Sequence, residues 1–343
     1  MTINEIKALL KTEPYDFLRT DANLGSNMIL LTLGGSHAYG TSNANSDVDI
    51  RGISANSRSD ILLGRDFEQV VERNTDTVIY SLKKIVGLLA SCNPNTIEIL
   101  GCKPEHYFYL SKIGASLLEN KSMFLSQYAI ASFGGYAEQQ LRRLESKATD
   151  SMEQKRREEH ILKSINRSRD IILSKYQQAD GVVDFYIDKA TTDDLDFEIY
   201  LNSTLTHYPL RDFKSLMNEF GNILSSYSKL GQRNNKAMLH EKISKHAMHL
   251  IRLFMMCIDI LENGEINTYR VDEHDLLMSV RNDEFLGPDG APTKAFYDMV
   301  NDYSKRMDYA AAHTSLPLQP DKSRIDEWLC WANEEILMGN NHI

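Results

Sequence analysis

The sequence predicts an α+β protein: a small domain built on a sheet flanked by helices, then a mostly helical domain with a small β insertion. Three observations predict it. Strand-like segments cluster in the first hundred residues, helical spacing dominates beyond about residue 112, and an Asp-rich alternating stretch interrupts the helical part at 181–201. The expected boundaries are 1–112 for the first domain and 113–343 for the second.

Taken in order, Met28 to Leu33 (MILLTL) is apolar and suits a buried strand stopped by Gly34-Gly35-Ser36. The polar run TSNANS at 41–46 is a loop rich in turn formers. Asp47 to Ile53 then alternates with a period of two, which predicts a strand carrying Asp47, Asp49 and Arg51 on one face. Phe67–Val71 and Asp76–Tyr80 are further strand candidates. After Ser81 the spacing turns helical through Leu82, Ile85, Leu88 and Leu89, up to the break at Asn93-Pro94, and a short helix is expected at 96–100.

Residues 116–144 form an amphipathic stretch in which Gly134-Gly135 is expected to separate two helices. Residues 151–175 read as a charged helix, and 181–201 as an inserted hairpin. A long helix is expected from about 235 to 262, with Leu239, Ile243, Ala247, Leu250, Phe254, Cys257 and Leu261 as its inward face. A loop at 286–293 and a last helix near 324–338 complete the pattern.

The 343 residues are 42% hydrophobic and 25% charged, enough to build a sizeable core. No run of about 18 apolar residues is present, and the N-terminus lacks the basic and apolar regions of a secretory signal, so a cytoplasmic protein without a membrane partner is expected. Thirty-eight Lys+Arg against 48 Asp+Glu give a formal charge of -10, which argues against broad affinity for nucleic acid. The four cysteines are scattered without a C-x-x-C pair and read as reduced thiols.

The chemistry lies in GGSHAYG at 34–40 and SDVDIRGI at 46–53. A glycine at 35 lets backbone N–H groups approach a polyanion, and Ser36 adds a hydroxyl donor. Two aspartates two residues apart on a strand point the same way and suit a hard cation such as Mg²⁺ or Mn²⁺. With ten residues between Ser36 and Asp47, the constellation fits a metal-bound nucleoside triphosphate attacked at phosphorus.

On these residues the sequence resembles the DNA polymerase β-like nucleotidyltransferase superfamily, and more closely a family of predicted nucleotidyltransferases of bacteria and large phages. The resemblance extends through TVIYSLKKIVGLLASCNPNTIEIL, GYAEQQLRRL and KHAMHLIRL. It implies that Gly35 and Ser36 cradle phosphate and that Asp47 and Asp49 bind metal. It also implies a third carboxylate on a later strand, with Asp76 as the candidate and Glu72 and Glu68 as rivals. Arg51 shares the aspartates' expected face and is a candidate partner for them or for phosphate.

In the long helix Lys242, Lys245, His249 and Arg252 recur at helical spacing, and the resemblance makes Lys245, His249 and Arg252 candidate triphosphate ligands. The same spacing describes any solvated helix face. Glu98, after Asn93-Pro94-Asn95, is expected to fix a helix junction. The function these features predict is metal-dependent transfer of a nucleoside monophosphate from an NTP to an acceptor, with RNA, protein and small molecules all open. The alternative is a non-catalytic nucleotide-binding regulator or antitoxin-like protein. Both Asp47 and Asp49 are present, which argues for the enzyme.

Overall fold

The computed structural model describes residues 1–44, 46–149, 162–163, 165–166, 169, 180–189, 191, 197–226, 240–288 and 290–339. The chain divides into two compact units. The first comprises Met1–Tyr136, Arg252–Met278 and Asp302–Ile343; the second comprises Ala137–Ile251 and Ser279–Asn301.

The first unit opens with helices α1 (Ile3–Leu9) and α2 (Phe17–Thr20). It then builds a five-stranded mixed sheet from β1 (Met28–Leu33), β2 (Ile50–Ser54), β3 (Gln69–Glu72), β4 (Thr77–Ser81) and β5 (Tyr107–Leu110), in the order β3-β4-β2-β1-β5. β1 is buried along its whole length, as its apolar sequence requires. It pairs antiparallel with β2, Leu33 opposite Ile50, and β2 pairs parallel with β4, Ile50 opposite Thr77. β5, four residues on the sheet edge behind Pro104, lacks the length and alternation that mark a strand in sequence.

Four helices punctuate the sheet: α3 (Gly35–Tyr39), α4 (Arg58–Leu63), α5 (Leu82–Ala90) and α6 (Pro94–Ile97). α5 starts where Ser81 accepts a hydrogen bond from Lys84 N, and it buries Leu82, Ile85, Val86 and Leu89 against the sheet side of the core. Asn93 caps α6, with Pro94 in its first turn, so the Asn-Pro dipeptide both ends one helix and begins the next.

Several expectations are corrected. Asp47 and Asp49 precede β2 rather than lying on it, because the strand pairing begins at Ile50. The break expected at Gly134-Gly135 does not occur: α8 runs unbroken over Tyr128–Thr149, after α7 (Lys112–Glu119). The chain turns instead at 120–127, where Leu125 and Ser126 are buried. Two helical glycines cost about 2 kcal/mol together relative to alanine, a penalty that burial of Phe133, Ala137 and Leu144 on the same helix outweighs. The charged helix expected at 151–175 falls almost wholly outside the described residues.

In the second unit β6 (Asp180–Lys189) and β7 (Phe197–Thr206) form the expected hairpin. Its Val183 and Phe185 join Ile165 and Leu216 in a core shared with the helix Leu210–Ser226. The expected long helix is present as His240–Asn263, and the last helix as Lys322–Leu337. The helices His274–Arg281 and Lys294–His313 had no expectation. From Leu250 to Ile258 every residue of the long helix is buried, so that part has no polar face.

Candidate active site

The first unit assembles a site at the C-terminal end of β1. The β1–β2 ladder runs one step past both strands, Gly34 N donating to Asp49 O at 2.9 Å, and this brings Asp49 beside the glycines. Gly35 adopts φ +54°, a left-handed conformation that favours glycine. A Cβ on Gly35 would lie 1.9 Å from Asp49 Oδ2 and 2.7 Å from its Cγ. A Cβ on Gly34 would lie 2.8 Å from Arg51 Cγ. Both glycines are therefore required by the side chains lapped over them, and Asp49 rests on the Gly–Ser turn itself.

Asp49 is half-buried and Asp47 exposed. Arg51 Nη2 donates to Asp49 Oδ1 at 3.3 Å, while Nη1 donates to Asp76 O at 2.7 Å and Ile50 O at 3.0 Å. This single side chain ties the ends of β2 and β4 together. Asp76, exposed and with φ +45°, sits immediately before β4 in the register next to Asp49, and its carbonyl also accepts from Ile50 N at 3.4 Å. Of its rivals, Glu68 pairs with Lys84 Nζ at 2.7 Å and Glu72 accepts from Asn74 N at 3.0 Å, so both are engaged away from Asp49.

Tyr15, unmarked in the sequence, is buried within reach of the same acids: burial raises its hydroxyl pKa, and the charges of Asp76 and Asp49 raise it further. No local pattern distinguishes it from a core tyrosine.

Arg252 is not on a solvated face. It is buried, its guanidinium carbon 3.3 Å from the Tyr39 ring centroid. The stripe drawn from sequence does not hold here, because this stretch of helix is covered on all sides. Lys245 and His249 belong to the second unit, Lys245 exposed and His249 half-buried; the Lys242 side chain lies outside the described residues.

The donor chemistry fits a hard divalent cation: carboxylate oxygens against a turn cleared of Cβ atoms. The full three-acid set is not gathered, since among the described residues no three His, Cys, Asp or Glu side chains stand close enough to hold a metal ion. Among the described residues, no helix is long and apolar enough to cross a membrane.

Residues 12–164 match the model of a family in the polymerase β-like nucleotidyltransferase class. The family is RlaP, described as the RNA repair pathway DNA polymerase beta family. No curated protein and no solved structure matches the chain. The family match supports nucleotidyl transfer as the general activity.

Proposed function

We propose that the protein is a metal-dependent nucleotidyltransferase that moves a nucleoside monophosphate from an NTP to a hydroxyl acceptor. The acceptor oxygen bonds to the α-phosphorus, the bond from that phosphorus to the bridging oxygen of the β-phosphate breaks, and pyrophosphate leaves. The observation that carries this reading is the Asp49 carboxylate seated on Gly35, which sets an acid directly beside the Gly–Ser turn.

In this reading Asp47 and Asp49 hold Mg²⁺ or Mn²⁺, with Asp76 as third ligand. The bound cation would neutralise triphosphate charge and make the acceptor hydroxyl more acidic. Asp76, as the third carboxylate the resemblance implies, would help take the hydroxyl proton. Gly35 backbone and Ser36 hydroxyl receive the β- and γ-phosphates and steady the charge that builds on the leaving group. Arg51 has a double part. It pairs with Asp49 at 3.3 Å, and its guanidinium would also answer phosphate charge. Lys245, His249 and Arg252 remain candidate triphosphate ligands by resemblance, and of these Arg252 is better read as a support, given its burial.

The family's description points to an RNA acceptor. The acidic surface then favours a single RNA end over lengthwise coating. The rival reading, a nucleotide-binding regulator, is favoured by the absence, among the described residues, of three acids close enough to hold a metal ion. Incubation with each α-labelled NTP, Mg²⁺ or Mn²⁺ and RNA of defined ends separates the two. Label joined to RNA, lost in Asp49→Asn, is the expected result. Binding of NTP without transfer to RNA, protein or small hydroxyl compounds would overturn catalysis and leave the regulator.

A further inference from the structure

The short helix α3 carries the Gly–Ser turn at its start and Gly40 at its C-cap. Five residues do not hold a helix by themselves, and Gly34 at its N-cap supplies no side-chain hydrogen bond. Its position must therefore come from tertiary anchors. Tyr39 is one: its ring is buried under the Arg252 guanidinium, and its hydroxyl meets Met256 Sδ at 3.9 Å. The other is Tyr269, from the stretch that follows the long helix. Gly40 has φ +75°, and a Cβ there would lie 2.5 Å from Tyr269 Cε2 and 2.9 Å from its Cζ. The edge of the ring thus rests directly on the Gly40 backbone.

Tyr269 is itself held on either side in the chain. Thr268, wholly buried, donates through Oγ1 to Glu98 O at 2.8 Å and through its N–H to Gly101 O at 3.2 Å. Arg270, 3% exposed, donates from Nη2 to Asp259 Oδ2 at 2.6 Å and faces Glu273 Oε1 at 3.5 Å. Lys103 Nζ lies 3.3 Å from the Tyr269 ring centroid, and the His106 ring meets that ring edge-on at 6.0 Å. A buried arginine and threonine are a costly way to fill space, because both leave water; what they secure is the place of the residue between them. That place bears on the turn through the backbone. Gly40 N–H reaches His37 O and Ser36 O, and Thr41 N donates to Ser36 O at 2.9 Å. Fixing Gly40 therefore fixes Ser36. Both ends of the short helix are held, one by Asp49 over Gly35, the other by Tyr269 on Gly40.

We infer that Tyr269 is a positioning residue: packed on Gly40, it holds the end of α3 and, through the bonds to Ser36 O, the Gly–Ser turn against Asp49. The inference rests on the reading of that turn as the phosphate cradle. Tyr269 lies outside residues 12–164, so a segment beyond the family match completes the support of the site. Its role is exerted through the turn, not on nucleotide or metal.

The test uses the full chain with Tyr269→Phe, which keeps the ring, and Tyr269→Leu and Tyr269→Ala, which remove it. Amide exchange is followed at Ala38, Gly40 and Thr41, whose N–H groups bond to Gly34 O, His37 O and Ser36 O. In parallel, binding of ATP, GTP, CTP and UTP with Mg²⁺ is titrated without any acceptor. Loss of the ring is expected to speed exchange at those amides and leave β1 and β2 protected. It is also expected to weaken the preferred nucleotide about tenfold, the factor for a turn that keeps its binding geometry about one-tenth of the time. Tyr269→Phe is expected to match the wild type in both readouts. The contact itself is checked by Gly40→Ala, which should lower the melting temperature less when combined with Tyr269→Leu or Tyr269→Ala, where only the backbone strain remains. Wild-type exchange or wild-type nucleotide affinity without the ring, exchange that rises equally across the sheet, or equal melting shifts in both backgrounds would overturn the inference. Where Tyr269→Ala does not fold, Tyr269→Leu gives the same readings. If the wild-type chain binds none of the four nucleotides, the phosphate-cradle reading fails; the exchange data then still decide whether Tyr269 holds α3.

Discussion

Gly35→Ala separates backbone strain from damage to the acid beside it. At φ +54° an alanine costs about 1–2 kcal/mol relative to glycine. The new Cβ also lands 2.7 Å from Asp49 Cγ, where ordinary contact begins at 3.4 Å, so the carboxylate carbon must retreat by roughly 0.7 Å and Oδ2 by roughly twice that. A shift of about 1 Å in a catalytic group is worth on the order of a hundredfold in rate. Gly64→Ala is the matched control: its φ is +67° and no heavy atom lies within 4 Å, so it carries the same backbone strain and touches no acid. Thermal melting and transfer of α-labelled nucleotide are measured for both. The expectation is a similar fall in stability, with about a hundredfold loss of transfer for Gly35→Ala alone. Equal transfer by the two variants would refute the placement of Asp49 on the turn as the source of activity.

Two other outcomes are expected. In the native protein an alkylating reagent should modify Cys330 first, because Cys330 is exposed whereas burial pushes Cys102 and Cys257 up to about 12 and raises Cys92. Peptide mapping that finds the other three labelled as quickly, before unfolding, would contradict this order of reactivity. His106 gives a pH signature: burial holds its pKa below 6.5, so the unfolded chain takes up a proton first and stability falls as pH drops from about 6.5 toward the folded value. Urea midpoints between pH 7 and 5 should fall less steeply in His106→Asn than in the wild type, and equal slopes would exclude this contribution.

Much of the fold was legible because its signals are local. The apolar run at 28–33, the Ser81 cap and the Asn93-Pro94 junction each dictate backbone conformation within a few residues, and the structure has β1, α5 and α6 there. The hairpin near 181–201 was legible from its alternation. Gly134-Gly135 misled because propensity is a weak term beside the burial of Phe133 and Ala137. Asp47 and Asp49 were readable as a pair, but their position just outside β2 depends on where pairing with β1 starts, which is a long-range matter.

The sequence by itself determined the chemistry on offer: a glycine–serine bend, then two acids, at a separation that suits a polyphosphate and a hard cation. Tertiary structure decided which groups meet. Whether Arg252 serves solvent or a buried tyrosine turns on the covering of one stretch of helix, in a contact between segments more than two hundred residues apart. Periodicity reports which side of an element is apolar; it carries no information about what that side, or the opposite one, is packed against.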